Sequence, residues 1–113
     1  MNIQIFGTRK CHETLKAERF FKERKILFHF RDLIEKGISK GELENISIQI
    51  PLEELFDKDG KEYKKKNLAF MKFDIKEALL ENALLLKTPV VRNGKSVTIG
   101  FQPQVWENWI KQG

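Results

Sequence analysis

Hydrophobic and polar positions alternate through Ile3, Ile5 and their neighbours at the strand period of two. Gly7-Thr8-Arg9-Lys10 interrupts the alternation as a short polar loop that ends at Cys11. From Cys11 to about Glu23 the period becomes helical, with Leu15, Ala17, Phe20, Phe21 and then Arg24 near one stripe. Glu23-Arg24-Lys25 breaks that stripe, and Ile26-Leu27-Phe28-His29-Phe30 reads as a second, largely buried strand. Strand, helix and strand inside about 30 residues predict a β-α-β unit with parallel strands and a right-handed crossover.

The middle of the chain carries helix signals. After the polar loop at Gly37, Ser39 and Glu42 have the S-x-x-E spacing of a capping box, which predicts a helix to about Ile46. Pro51 suits the first turn of a short helix over Leu52 to Phe56, and Asp59-Gly60 marks a turn. Asp74 and Glu77 form a second box-like start, for a helix carrying Ala78, Leu79, Leu80 and Ala83 and ending near Leu85. Pro89 opens a strand, Val90-Val91-Arg92. Asn93-Gly94 signals a hairpin, with Val97, Ile99 and Phe101 alternating on the returning strand. Val105, Trp106, Trp109 and Ile110 are at helical spacing and predict a last helix. The expected fold class is α/β: a four-stranded mixed sheet between helices, thioredoxin-like, with a helical insert between an N-terminal βαβ and a C-terminal ββα. No repeat, linker or low-complexity stretch divides it, so residues 1–113 are expected to form a single domain.

Composition sharpens this reading. A chain of 113 residues can bury a core without staples, and 41% hydrophobic with 33% charged residues is ordinary for a globular protein. The longest apolar runs, such as Ala83 to Leu86, are too short to span a bilayer. Met1 to Phe6 enters a strand pattern without the basic start and long apolar stretch of a secretory signal. The expectation is a cytoplasmic protein with no membrane partner. A formal charge of +5 favours acidic partners such as anionic thiols, oxyanions and nucleic acid. The basic residues are, however, interleaved with acids. Lys64-Lys65-Lys66 reads as a solvated face, and no nucleic-acid-binding signature accompanies it.

One cysteine excludes an intramolecular disulfide. Cys11 stands where a helix begins, among unpaired N–H groups and the positive end of the helix dipole, so a negative charge is favoured there. Thiolate is the reactive form. Arg9, Lys10 and His12 add positive character, Glu13 opposes them, and the Thr14 hydroxyl can donate to the sulfur. Placement alone leaves a reactive thiol and an inert capping thiol both open. His12 beside Cys11, with His29 further on, lacks any zinc-type spacing, so no metal is expected and His29 reads as structural or surface. There is no G-x-S-x-G and no phosphate-binding glycine pattern.

The stretch Ile3-Gln4-Ile5-Phe6-Gly7-Thr8-Arg9-Lys10-Cys11, followed by Lys16-Ala17-Glu18-Arg19-Phe20-Phe21, resembles the N-terminal region of the arsenate-reductase-like ArsC/Spx family. It is nearest the YffB-like branch, because Gly7 rather than a histidine follows the strand aromatic. Gly37-Ile38-Ser39-Lys40-Gly41-Glu42-Leu43 resembles the start of the family's helical insert. Lys87-Thr88-Pro89-Val90-Val91 resembles its R-P-[IL] strand start, and Ile99-Gly100-Phe101 its late G-[FY] strand. The resemblance implies a thioredoxin fold, Cys11 as nucleophile, no bound cofactor, and glutathione or another low-molecular-weight thiol as co-substrate. The family's arsenate reductases hold their oxyanion with three arginines, whose forked donors suit a tetrahedral anion. The matching positions here are Asp57, Thr88 and Phe101, which speaks against efficient arsenate reduction. Spx-type regulators carry a C-x-x-C switch and bind RNA polymerase, whereas Cys11-His12-Glu13-Thr14 has threonine in place of the second cysteine. What remains implied is a monothiol oxidoreductase acting on a small thiol or disulfide. Thr88-Pro89 is expected to be cis and to face Cys11. The rival implication is a non-catalytic, Spx-like interaction module with a protein partner such as RNA polymerase.

Overall fold

A computed structural model describes residues 1–112 and resolves into two compact units, residues 1–32 with the stretch from Thr88 onward, and residues 33–87. In the first unit, β1 (Ile3–Gly7), α1 (His12–Glu23) and β2 (Phe28–Asp32) precede β3 (Val90–Asn93), β4 (Ser96–Ile99) and α6 (Pro103–Gln112). Helices α2 (Lys40–Gln49), α3 (Leu52–Leu55), α4 (Lys61–Lys65) and α5 (Ile75–Glu81) belong to the second unit. The sheet order is β2-β1-β3-β4. Strand β1 runs parallel to β2, with Ile3 opposite Phe28 and Gly7 opposite Asp32, and antiparallel to β3, with Ile5 opposite Val91. Strand β4 returns antiparallel on β3. This is the four-stranded mixed sheet of the thioredoxin-like fold, as the element order predicted.

The core of this unit is aromatic. Ile3, Ile5 and Val91 present one sheet face to Ala17, Phe20 and Phe21 of α1 and to Trp106 of α6. Phe20 and Phe21 each lie 5.2 Å from the Trp106 ring, centroid to centroid, in tilted or edge-on geometry that adds about 0.5–1.5 kcal/mol per pair. The indole N–H of Trp106 donates to Thr98 Oγ1 at 2.9 Å, so the largest buried side chain leaves no polar atom unpaired.

Local chemistry explains most boundaries, and also where the predicted ones shift. The second strand begins two residues late. Lys25 turns the chain at φ 57°, Leu27 is 91% exposed, and pairing starts at Phe28. Expected to be largely buried, β2 is instead an edge strand with His29 exposed, because the sheet continues only on its β1 side. On α1, Leu15 lies on the outer face and the buried stripe is Thr14, Ala17, Glu18 and Phe21, the i, i+3, i+4, i+7 set. The hairpin turn falls on Gly94-Lys95, since Asn93 still pairs with Ser96, and Gly94 at φ 60° has the sign of the first position of a type II′ turn. Strand β4 stops at Ile99 because Gly100, at φ 78°, bends the chain and donates its N–H to Pro89 O at 2.8 Å. Phe101 is therefore outside the sheet.

The second unit is helical: α2 (Lys40–Gln49), α3 (Leu52–Leu55), α4 (Lys61–Lys65) and α5 (Ile75–Glu81), with single 3₁₀ turns at Leu68–Phe70 and Ala83–Leu85. The predicted capping box is formed, with Glu42 N–H donating to Ser39 Oγ and Ser39 N–H to Glu42 Oε1. Asp74 caps α5 through Glu77 N–H. The helix expected to reach Leu85 breaks at Asn82, which is extended and accepts the Leu84 N–H on its side chain. Helix α4, launched from Gly60, has too little apolar periodicity to be legible in the sequence. Phe56 bridges Leu86 in antiparallel fashion and meets the rings of Tyr63 and Phe73 at 5.7 and 5.4 Å. No helix among the described residues is long and apolar enough to cross a membrane.

Candidate functional site

Cys11 is the N-cap of α1. Its extended backbone (φ −89°, ψ 117°) ends the β1–α1 loop, where its N–H donates to Thr8 O and its carbonyl accepts the Leu15 N–H, each at 3.1 Å. The loop places the half-buried sulfur against the start of β3. Thr88 Oγ1 donates to Cys11 Sγ at 3.2 Å, and the thiol donates in turn to the Thr88 carbonyl at 3.7 Å. The Thr88–Pro89 bond is cis, as expected, and Pro89 is buried.

Two effects compete at the sulfur. Burial pushes the Cys11 thiol up, and hydrogen bonding pulls it down through the Thr14 hydroxyl, the Thr88 hydroxyl and the backbone N–H groups of Thr14 and Glu13. The hydrogen bonds win, and the thiol lies below its ordinary value. The two hydroxyls are not equivalent. Thr88 has a formed hydrogen bond, whereas Thr14 Oγ1 is buried with no partner at full hydrogen-bond geometry, so it acts on the sulfur as a nearby dipole. The N–H groups of Glu13 and Thr14 likewise face the sulfur without closing a formal cap bond.

Thr14 owes its place to Gly7. A Cβ on Gly7 would sit 2.4 Å from Thr14 Oγ1 and 2.7 Å from Thr14 Cγ2, so only glycine admits the threonine. The sequence offered no signal for this contact beyond the glycine itself.

The residues expected around the thiol divide into two sets. Cys11, Thr14, Thr88 and Pro89 come together. Arg9 turns away: its guanidinium lies over the Phe30 ring, 4.6 Å from the centroid, and 3.8 Å from Glu18 Oε2. Lys10 and His12 are exposed, and no charge is among the causes that lower the thiol. Hydrogen bonds, not the neighbouring cations, tune this cysteine. The Glu13 carboxylate lies beside Gly100, where an added Cβ would sit 3.5 Å from Glu13 Oε2. Sequence reasoning missed Glu18, a buried carboxylate on α1 that meets Arg9 and, at 3.9 Å, Lys22. Its i+4 spacing from Thr14 on the buried stripe was the available signal. Among the described residues, no three His, Cys, Asp or Glu side chains gather as a metal site.

The sequence profile of the ArsC family matches residues 6–109. The chain belongs to the ArsC family. Its relatives include YusI of Bacillus subtilis strain 168, 26% identical over 96% of this chain and 99% of YusI. The global transcriptional regulator Spx 2 of Oceanobacillus iheyensis is also 26% identical, over 89% of this chain and 78% of the regulator. Among solved structures, a YffB protein superposes with a TM-score of 0.82 at 21% identity, covering 94% of this chain and 96% of its own. That likeness supports the ArsC-type thioredoxin-like fold.

Proposed function

We propose that this ArsC-family chain is a monothiol oxidoreductase that works through a mixed disulfide on Cys11, with glutathione or another low-molecular-weight thiol as co-substrate. The observation that carries the reading is the hydrogen bond from Thr88 Oγ1 to Cys11 Sγ, together with a thiol held below its ordinary range. The Cys11 thiolate attacks one sulfur of a disulfide substrate. A Cys11–substrate S–S bond forms, the original S–S bond breaks, and the departing sulfur leaves as a thiolate. A second thiolate then attacks the substrate sulfur, forms a new disulfide with it and returns Cys11 as thiolate. No second cysteine exists in the chain, so the resolving thiol comes from outside. Thr88 and the N-terminal N–H groups of α1 stabilise the thiolate both before attack and on release. The Thr88 backbone, next to the sulfur, is the edge against which an extended glutathione or peptide would pair. Lys10 and Arg9, both exposed, would draw an anionic thiol toward the loop without touching the sulfur.

Arsenate reduction is the weaker use of this site. The positions that correspond to the family arginines carry Asp57, Thr88 and Phe101. Thr88 is already committed to the sulfur, and Phe101 packs edge-on against Trp106 at 5.5 Å.

The deciding experiment is iodoacetamide alkylation of Cys11 as a function of pH, followed by mass spectrometry after exposure to glutathione disulfide. A midpoint below the roughly 8.5 of a free thiol with one glutathione added per chain is the expected result. A midpoint at or above that reference, with no adduct, would overturn the reading. The similarity to a transcriptional regulator favours a second reading, a non-catalytic module that binds a protein partner such as RNA polymerase. Under that reading Cys11→Ala leaves function intact, whereas the oxidoreductase loses it.

A further inference from the structure

The second unit carries an unusual combination of charge and exposed apolar surface. Between Gly60 and Phe73 stand five lysines, Lys61, Lys64, Lys65, Lys66 and Lys72, against one acid, Glu62. This short stretch holds a formal +4 of the chain's +5. Glu62, the one acid, is oriented by the Asn82 Nδ2–H, which its carboxylate accepts at 2.7 Å. None of the five lysines has an ion-pair partner among the described residues.

At the tip, Phe70 is 90% exposed and Met71 57% exposed. A definite local structure holds them there. Asn67, at φ 54°, turns the chain out of α4, its N–H bonded to Lys64 O. Phe70 N–H then donates to Asn67 O, and Met71 N–H to Leu68 O. Tyr63 and Phe73, the neighbouring aromatics, are folded against Phe56. Beside the tip opens a pocket of about 470 Å³ lined by Leu68, Met71, Ala78 and Leu85, with Lys66 and Glu81 among its polar residues.

We propose that this surface docks an acidic segment of another protein that inserts one apolar anchor side chain into the pocket. The lysines match an acidic segment by charge, the pocket has room for a leucine or aromatic side chain, and Phe70 and Met71 cover the anchor from outside. Glu81 offers an acceptor for a peptide N–H. A lipid surface fits less well: of the large apolar side chains of this stretch only Phe70 and Met71 are more than half exposed, and a carboxylate lines the adjoining pocket. A nucleic acid would leave the pocket unfilled.

The test uses the full chain and a short synthetic peptide of aspartate and glutamate around a single tryptophan. Control peptides replace the acids with lysine or the tryptophan with alanine. Backbone amide shifts are followed by NMR. The acidic, tryptophan-bearing peptide is expected to move Leu68 to Phe73, Ala78 and Leu85, while both controls leave them in place. Phe70→Ala, and separately Lys64→Gln with Lys65→Gln and Lys66→Gln, should each weaken binding by about tenfold. All of these residues are solvent-facing, and amide shifts that stay unchanged across the rest of residues 33–87 in the free variant certify the fold of each. Equal binding of all three peptides, or shifts elsewhere, would overturn the proposal. So would co-sedimentation with equimolar phosphatidylcholine–phosphatidylserine vesicles, or binding of a single-stranded RNA, where the acidic peptide does not bind.

Discussion

Thr88 and Cys11 lie 77 positions apart in sequence, yet the Thr88 hydroxyl donates to the Cys11 sulfur at 3.2 Å. A hydroxyl donor stabilises thiolate over thiol, and its partial burial keeps water from substituting for it. The Thr88 carbonyl, 3.7 Å from the same sulfur, pulls the other way by accepting the S–H, through a longer and weaker contact. The balance leaves the thiol lowered.

Replacing Thr88 by valine keeps the shape and removes the donor. The alkylation midpoint should rise, and the alkylation rate at neutral pH should fall by about three- to tenfold, the value of a partly exposed hydrogen bond to a charged group. Thr88→Ser should restore most of the rate. An unchanged rate in the valine variant would show that the helix start alone sets the thiol.

The same shift ties stability to pH. An acid whose folded pKa is depressed contributes stability that is fully present above its unfolded value and disappears as pH falls through its folded value. Wild type minus Cys11→Ala should therefore gain in urea midpoint as pH rises from the lowered folded value of Cys11 to about 8.5, then level off. Parallel urea titrations across that window give the comparison. A difference that shrinks with rising pH would contradict the lowered thiol.

Gly7 and Thr14 should behave as a coupled pair. Gly7→Ala drives a methyl into the Thr14 side chain and should destabilise by about 1–3 kcal/mol, the range for overpacking a filled site. Thr14→Ala removes the two nearest obstructing atoms. The double variant should then lose less than the sum of the singles. Strict additivity in a urea double-mutant cycle would show that the two side chains do not compete for this space.

Trp106 tests the aromatic core. Trp106→Ala removes the largest buried side chain and its contacts with Phe20 and Phe21, and should cost about 3–5 kcal/mol. Trp106→Phe retains much of the packing but leaves Thr98 without its 2.9 Å partner, so the loss should be smaller, about 1–3 kcal/mol. Denaturation followed by circular dichroism separates the two. Similar losses would mean that packing contributes little beyond the hydrogen bond.

What the chain determined by itself is what local physics can encode. The strand periods around Ile5 and Val91, the Ser39–Glu42 capping box, the Asp74 cap, the helical spacing of Trp106 and Trp109, and the position of Cys11 at a helix start all depend on residues a few positions apart. Element order then follows, and with it the thioredoxin-like sheet. Tertiary structure alone decided the rest. It made β2 an edge strand, because strand order is a long-range property, and it put Leu15 outside and Glu18 inside, because a helix's buried face is chosen by what packs on it. It gave the sulfur its hydroxyl from Thr88, gave Thr14 its room over Gly7, and sent Arg9 to Phe30 and Glu18 instead of to the thiol. Charge counted along the sequence put Arg9, Lys10 and His12 near Cys11 with Glu13 against them. Direction is what matters at hydrogen-bond range, and direction is set only when the chain closes on itself.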